Sequence, residues 1–190
     1  MSDPYPAVDP DPPWTETTRE RTVLADPGPT TVVGYTVVYE DPAVAEAFSA
    51  LDPSPTRFAF ATALSFDPEL TSGIGVATVR PTVVRAADRA FADRLRERGL
   101  TTVDRGRRDR LRTDTGDRAR LRRFTGEYRP TSRGEESADP VAAEGFLAVW
   151  TVNGRFRIAG GAYPTSGRPD GVGSPGRYRE DLLSVLRSVS

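Results

Sequence analysis

The chain contains no cysteine, no histidine and no lysine. Without cysteine there are no disulfides, iron–sulfur ligands, thiol nucleophiles or thiolate zinc sites, and no prenyl or palmitoyl attachment point. Without histidine the commonest general base and transition-metal ligand is gone. Without lysine, Schiff-base chemistry and a P-loop lysine are excluded, and all 26 basic residues are arginine. Long apolar runs are also missing: nothing approaches the ~18 consecutive apolar residues of a spanning helix. The opening Met1-Ser2-Asp3-Pro4-Tyr5-Pro6 has neither a basic region nor an apolar stretch, so no secretory signal is expected. These absences favour a cytoplasmic protein with no cofactor. Total loss of lysine points to a compositional bias of the source, GC-rich or salt-adapted, although a net charge of −1 is not a strongly acidic surface.

At 190 residues the chain is long enough for one domain that buries about 70% of its unfolded surface. Residues 3–13 hold five prolines and three aspartates and support neither helix nor ladder. Residues 1–13 therefore read as a Pro-rich, flexible tail, and residues 14–190 as a single α+β domain.

Within that body, Trp14 to Leu24 and Thr30 to Glu40 read as strands on either side of the turn cluster Asp26-Pro27-Gly28-Pro29. Asp41-Pro42 opens a helix, aspartate as N-cap and proline at the first helical position, with Val44, Ala47, Phe48 and Leu51 as its apolar side. Arg57 to Asp67 is a strand with phenylalanines on one face and small residues on the other. Gly73 to Arg80 (GIGVATVR) reads as a further strand. A helix is expected from Thr82 to Arg98, striped by Val84, Ala87, Phe91 and Leu95 and closed by Gly99. Thr101 to Thr113 and Asp117 to Arg129 form a hairpin about Asp114-Thr115-Gly116. The apolar parity switches between Leu121 and Phe124, which implies a bulge near Arg122-Arg123. Residues 130–141 read as a polar loop. The last third is the clearest: Gly145 to Val152, the type I′ turn Asn153-Gly154, Arg155 to Gly160, then a helix from Tyr178 to Val189.

Arginine density is the main candidate for chemistry. From Arg94 to Arg123 there are 12 arginines against five acids, an excess of seven in a chain whose total is −1. Arg108, Arg110 and Arg112 share one strand face; Arg118, Arg120 and Arg122 share one on the next strand. If the two faces coincide, they make a basic, phosphate-sized surface suited to bidentate contact with an anion, a nucleic acid or an acidic protein. The plainer reading is a solvated hairpin kept soluble by edge charges. Aromatics that would stack on a single strand are few, only Phe124 and Tyr128.

Other signals are weaker. Gly73-Ile74-Gly75 has GxG spacing but falls inside an expected strand. Asp114-Thr115-Gly116 has the aspartic-protease triplet without a second copy, and a turn explains it. Glu135, Glu136 and Asp139 lack calcium-loop spacing. Ser174-Pro175 is a helix entry, and Phe146 and Trp150 read as core.

The element order is α+β, with hairpins imposing antiparallel neighbours. The segment GFLAVWTVNGRFRIAGGAYP followed by YREDLLSVLRSVS resembles the end of PsbP-like domains. That resemblance implies an α/β/α sandwich with a central, mostly antiparallel sheet. The wider group includes the Ran-binding factor Mog, so adaptor or assembly roles are implied rather than catalysis. The Arg, Asp, Thr and Val bias also resembles that of small haloarchaeal proteins. The expectation is a non-enzymatic interaction or assembly module with another protein as its partner and no membrane. The alternatives are anion or nucleic-acid binding through the hairpin 105–123, and a carboxylate-based hydrolase.

Overall fold

The local signals at helix entries and tight turns are realised in a computed structural model, which describes residues 3–11, 13–25, 30–70, 74–132, 138–167, 169 and 172–190. The elements in order are β1 (Thr15–Ala25), β2 (Thr31–Glu40), α1 (Pro42–Ala47), β3 (Leu51–Asp52), β4 (Phe58–Asp67), α2 (Ile74–Glu97), β5 (Leu100–Arg112), β6 (Arg118–Tyr128), β7 (Thr131–Ser132), β8 (Val141–Val152), β9 (Arg155–Pro164) and α3 (Pro175–Ser188). Asp41 Oδ1 accepts from the N–H groups of Ala43 and Val44, and Ser174 caps α3 through the Arg177 N–H. Asn153 and Gly154 both have positive φ, 48° and 79°, as a type I′ turn requires. The turn cluster at Asp26–Pro29 lies outside the described residues.

One expected strand is a helix. Ile74 to Arg80, expected within a strand, belong instead to Ile74–Glu97, a single 24-residue α-helix that runs through Pro81. Val76, Val79, Val83, Ala87, Phe91 and Leu95 are spaced by three or four residues across the proline, and all are buried or packed against the core. Burying that stripe outweighs both the strand propensity of Val and Thr and the hydrogen bond lost at Pro81, which sits on the exposed side.

Seven strands form one antiparallel sheet in the order β1-β2-β4-β9-β8-β6-β5, and β3 pairs with β7 in a separate ribbon. The architecture is therefore α+β. Paired residues share a face, so the register fixes what each helix meets. Phe58 and Phe60 of β4 are aligned with Ala162 and Gly160 of β9 and with Gly145 and Leu147 of β8 on the face under α2. Phe91 of α2 packs at 5.8 Å from Phe60 and edge-on at 4.9 Å from Phe124. On the opposite face the β4–β9 seam is small, with Ala59 paired to Gly161 and Ala61 to Ala159, and α3 lies over it. A Cβ on Gly161 would come within 2.2 Å of the Phe58 carbonyl and 2.7 Å of Leu182 Cδ1, so the helix approaches here as closely as glycine allows.

The expected bulge belongs to the other strand. Between Arg105 and Arg108 β5 gains one residue, whereas β6 runs in unbroken register with β8. The apolar switch from Leu121 to Phe124 needs no bulge in β6, because both faces are covered there: Phe124 lies under α2, and Leu121 on the side of α3.

A buried ion pair ties several elements together. Arg57, 2% exposed, donates to Asp41 at 2.7 Å and to Asp181 of α3 at 2.8 Å. Its guanidinium lies between the rings of Trp14 and Tyr178, at 4.3 and 4.2 Å. The Pro-rich segment before β1 is packed without pairing into a strand: Pro6 is buried, Tyr5 stands edge-on to Tyr35, and the Ala7 carbonyl accepts from Ser190 N–H.

Candidate anion-binding cleft

The hairpin register decides whether the two sets of arginines meet. Arg108 is directly opposite Arg122, Arg110 opposite Arg120 and Arg112 opposite Arg118. All six therefore share one face, the face that carries α2. The Thr113 N–H donates to the Asp117 carbonyl at 3.0 Å. Odd-numbered residues of this part of β5 thus bond inwards to β6, and Arg108, Arg110 and Arg112 turn their N–H and C=O groups to the free edge. The Arg110 N–H accordingly meets the Asp109 carboxylate at 2.8 Å instead of a β6 carbonyl. The three arginine pairs are thereby non-hydrogen-bonded pairs, whose Cα atoms stand only about 4.5 Å apart. Like charges directly opposite are destabilising, and here three such pairs follow one another.

The wall of the site comes from α2. A seven-stranded sheet is about 29 Å wide at ~4.8 Å per strand, and one helix of roughly 10–12 Å covers only its middle. On the β5–β6 side this leaves a cleft of about 590 Å³ between Pro81, Val84 and Arg85 of α2 and Arg108, Arg110, Arg120 and Arg122 of the hairpin, floored by Leu147 and Val149. Arg122 is paired with Asp88 at 3.3 Å, each 14% exposed. Among the described residues no acid pairs with Arg85, Arg108, Arg110 or Arg120, and the last three are exposed. The cleft on the other flank of α2, about 500 Å³, has Thr22, Thr36 and Thr62 with Glu20, Glu97 and Arg94. One trough is cationic and the other mixed, so the charge is a property of this site and not of the face.

The remaining candidates resolve differently. Asp114 to Gly116 is the hairpin turn, with Gly116 at φ 90° and its N–H on the Thr113 carbonyl. Gly75 lies in the first turn of α2 and not in a strand; Gly73, Glu135 and Glu136 lie outside the described residues. Asp139 is exposed, and Phe146 and Trp150 are core, 2% and 1% exposed. Among the described residues no cluster of three or more Asp or Glu could hold a metal.

A second polar group lies on the α3 side, where Glu144 accepts from Tyr163 Oη and is ion-paired with the Arg123 guanidinium. Burial, followed by the neighbouring carboxylate, drives the Tyr163 phenol far above its ordinary range. The neutral O–H donates to the Glu144 carboxylate.

Arg85, Asp88, Leu147 and Val149 belong to the cleft but not to the sequence-level candidate. Their signal is weak: Arg85 and Asp88 fall inside the helix expected from Thr82 to Arg98, but nothing in the sequence sets which strands that helix lies against.

Residues 9–190 match the model of DUF6517, a domain of unknown function, and the chain belongs to that family. No curated protein and no solved structure matches it.

Proposed function

We propose that this chain is a non-enzymatic binding module, an α/β/α sandwich of PsbP-like type, whose ligand is an anion taken up in the arginine cleft. The observation that carries the reading is the run of three directly opposed arginine pairs, two of which, Arg108–Arg122 and Arg110–Arg120, line a trough that holds five arginines against two acids, Asp88 and Asp109. Cross-strand repulsion at the closest spacing in the sheet costs stability, and a bound polyanion relieves it. The late hairpin β8–β9, with α3 packed on one side of the sheet and α2 on the other, supports the PsbP-like arrangement. The carboxylate-based hydrolase gains no such support: Asp88 is tied to Arg122, and Glu144 to Arg123 and Tyr163.

The test is fluorescence anisotropy with three labelled probes, an acidic oligopeptide, single-stranded DNA and inorganic polyphosphate, across a salt series. Log affinity is expected to fall linearly with log salt. Replacing Arg108, Arg110 and Arg120 by Gln removes three exposed contacts of roughly 0.5–1 kcal/mol each, a loss of about 10- to 100-fold. Flat salt dependence, or undiminished binding by the triple variant, would sink the reading.

A further inference from the structure

We infer that the free edge of β5 takes up an extended acidic segment of a partner protein as an eighth, antiparallel strand, with alternate Asp or Glu side chains on Arg108, Arg110 and Arg112. This rests on the anion-binding reading above and names the partner class.

Three observations converge on it. First, β5 ends the sheet, and its stretch Arg108 to Arg112, beyond the bulge, is an edge in unbroken register, about 17 Å long at ~3.4 Å per residue. Second, that edge presents the backbone groups of Arg108, Arg110 and Arg112 outwards. The Arg110 N–H is occupied only by Asp109, a carboxylate from the same strand that also pairs with Arg107 at 2.8 Å. An incoming carbonyl displaces that side chain without disturbing the ladder. Third, the spacings agree. Arginines two residues apart repeat every ~6.8 Å, as do alternate side chains of a neighbouring strand. A strand added at ~4.8 Å places its acids directly across from the guanidinium-bearing residues, with β6 supplying the second row from Arg120 and Arg122.

The opposite edge lacks this character. β1 carries both signs, with Glu16 bonded to Arg19. A second copy of β5 is also excluded as the occupant, because it would set arginine rows of the same sign side by side.

The experiment uses the full chain and three peptides of identical sequence, alternating Glu and Thr over nine residues. One is unmodified, one N-methylated at the glutamates and one at the threonines. In an antiparallel added strand, residues opposite Arg108, Arg110 and Arg112 exchange hydrogen bonds with them. Methylating the glutamates is therefore expected to weaken binding at least 10-fold, and methylating the threonines to leave it within about threefold. On the protein side, Arg110→Pro removes a charge and the outward N–H, and Arg110→Ala only the charge. Pro at an edge position with its N–H to solvent is tolerated, and the peptide comparison on the unsubstituted chain stands even if that variant does not fold. Weaker binding by Arg110→Pro than by Arg110→Ala supports strand addition. Equal affinity of the two methylated peptides overturns it and leaves the anion cleft standing. Tighter binding of single-stranded DNA than of the unmodified peptide overturns it in favour of nucleic acid. No binding of any anion overturns the functional reading itself.

Discussion

Replacing Arg57 by Ala removes the cation from the most enclosed ion pair in the described structure and leaves Asp41, 3% exposed, without its charged partner. Breaking a buried pair by deleting one member costs about 3–5 kcal/mol, because the remaining charge is neither hydrated nor compensated. Two facts place the cost in the lower part of that range: Asp41 keeps the Ala43 and Val44 N–H groups, and Asp181, 34% exposed, can turn to water. Losing the stack between Trp14 and Tyr178 adds about 1 kcal/mol or more. The total is about 4 kcal/mol, a large fraction of the 5–15 kcal/mol typical of a domain. It lowers Tm by roughly 8–16 °C at 2–4 °C per kcal/mol for this length. Urea unfolding followed by tryptophan fluorescence measures it, with Trp14 as a local reporter. The double variant Asp41→Asn with Arg57→Met removes both charges while asparagine keeps the helix cap, so it is expected to recover more than half of the loss. A cost below 1 kcal/mol for Arg57→Ala, or a double variant no better than the single one, would refute the buried-pair reasoning.

Two further outcomes follow from the same geometry. Replacing Arg110 and Arg120 by Thr relieves one opposed pair and adds two β-branched residues to exposed strands. It is expected to raise stability by about 0.5–1 kcal/mol at low ionic strength and by much less in 1 M salt, where the screening length is about 3 Å; urea midpoints at two salt concentrations check this, and a loss of stability contradicts the repulsion argument. For pH, Tyr163, Tyr128 and Tyr39 all have phenols raised first by burial. The folded chain keeps them neutral where an unfolded tyrosine ionises, near pH 10. Their contribution is intact below that pH and is lost as pH rises above it. An absorbance titration at 295 nm is expected to show fewer than six phenolates until the chain unfolds, and full amplitude in the folded state at pH 10.5 would contradict the burial of these groups.

Features decided within a few residues were legible in the sequence. Asp41-Pro42, Asn153-Gly154, Ser174-Pro175 and Gly99 each specify a dihedral or a cap with their own atoms, and each stands where it was read. The first half of α2 was not legible by propensity, because Val76, Thr78 and Val79 prefer strands in isolation; only the stripe continuing back from Ala87 across Pro81 carried the helix. The arginine face was half legible. Alternation gave each strand its own set, but whether the sets coincide depends on the register across the turn, which the Thr113–Asp117 hydrogen bond fixes. The bulge was misplaced for a related reason: parity within β6 records coverage of both sheet faces, and only pairing shows which strand holds the extra residue.

The sheet order has a consequence in time. β1, β2 and β4 are adjacent on one side and β5 and β6 on the other, yet within the seven-stranded sheet they are joined through β9 and β8, which come after both flanks in the chain. A ribosome therefore finishes both flanks before it makes the hairpin that unites them. Until residues 141–164 emerge, β4 and β6 each hold an open inner edge, and the phenylalanines of β4 lack the β9 strand beside them. Assembly is thus expected to wait for the C-terminal third, and non-local closure of this kind is slow. A nascent chain stopped after β7 would expose two unpaired edges, the state in which such proteins aggregate or recruit chaperones.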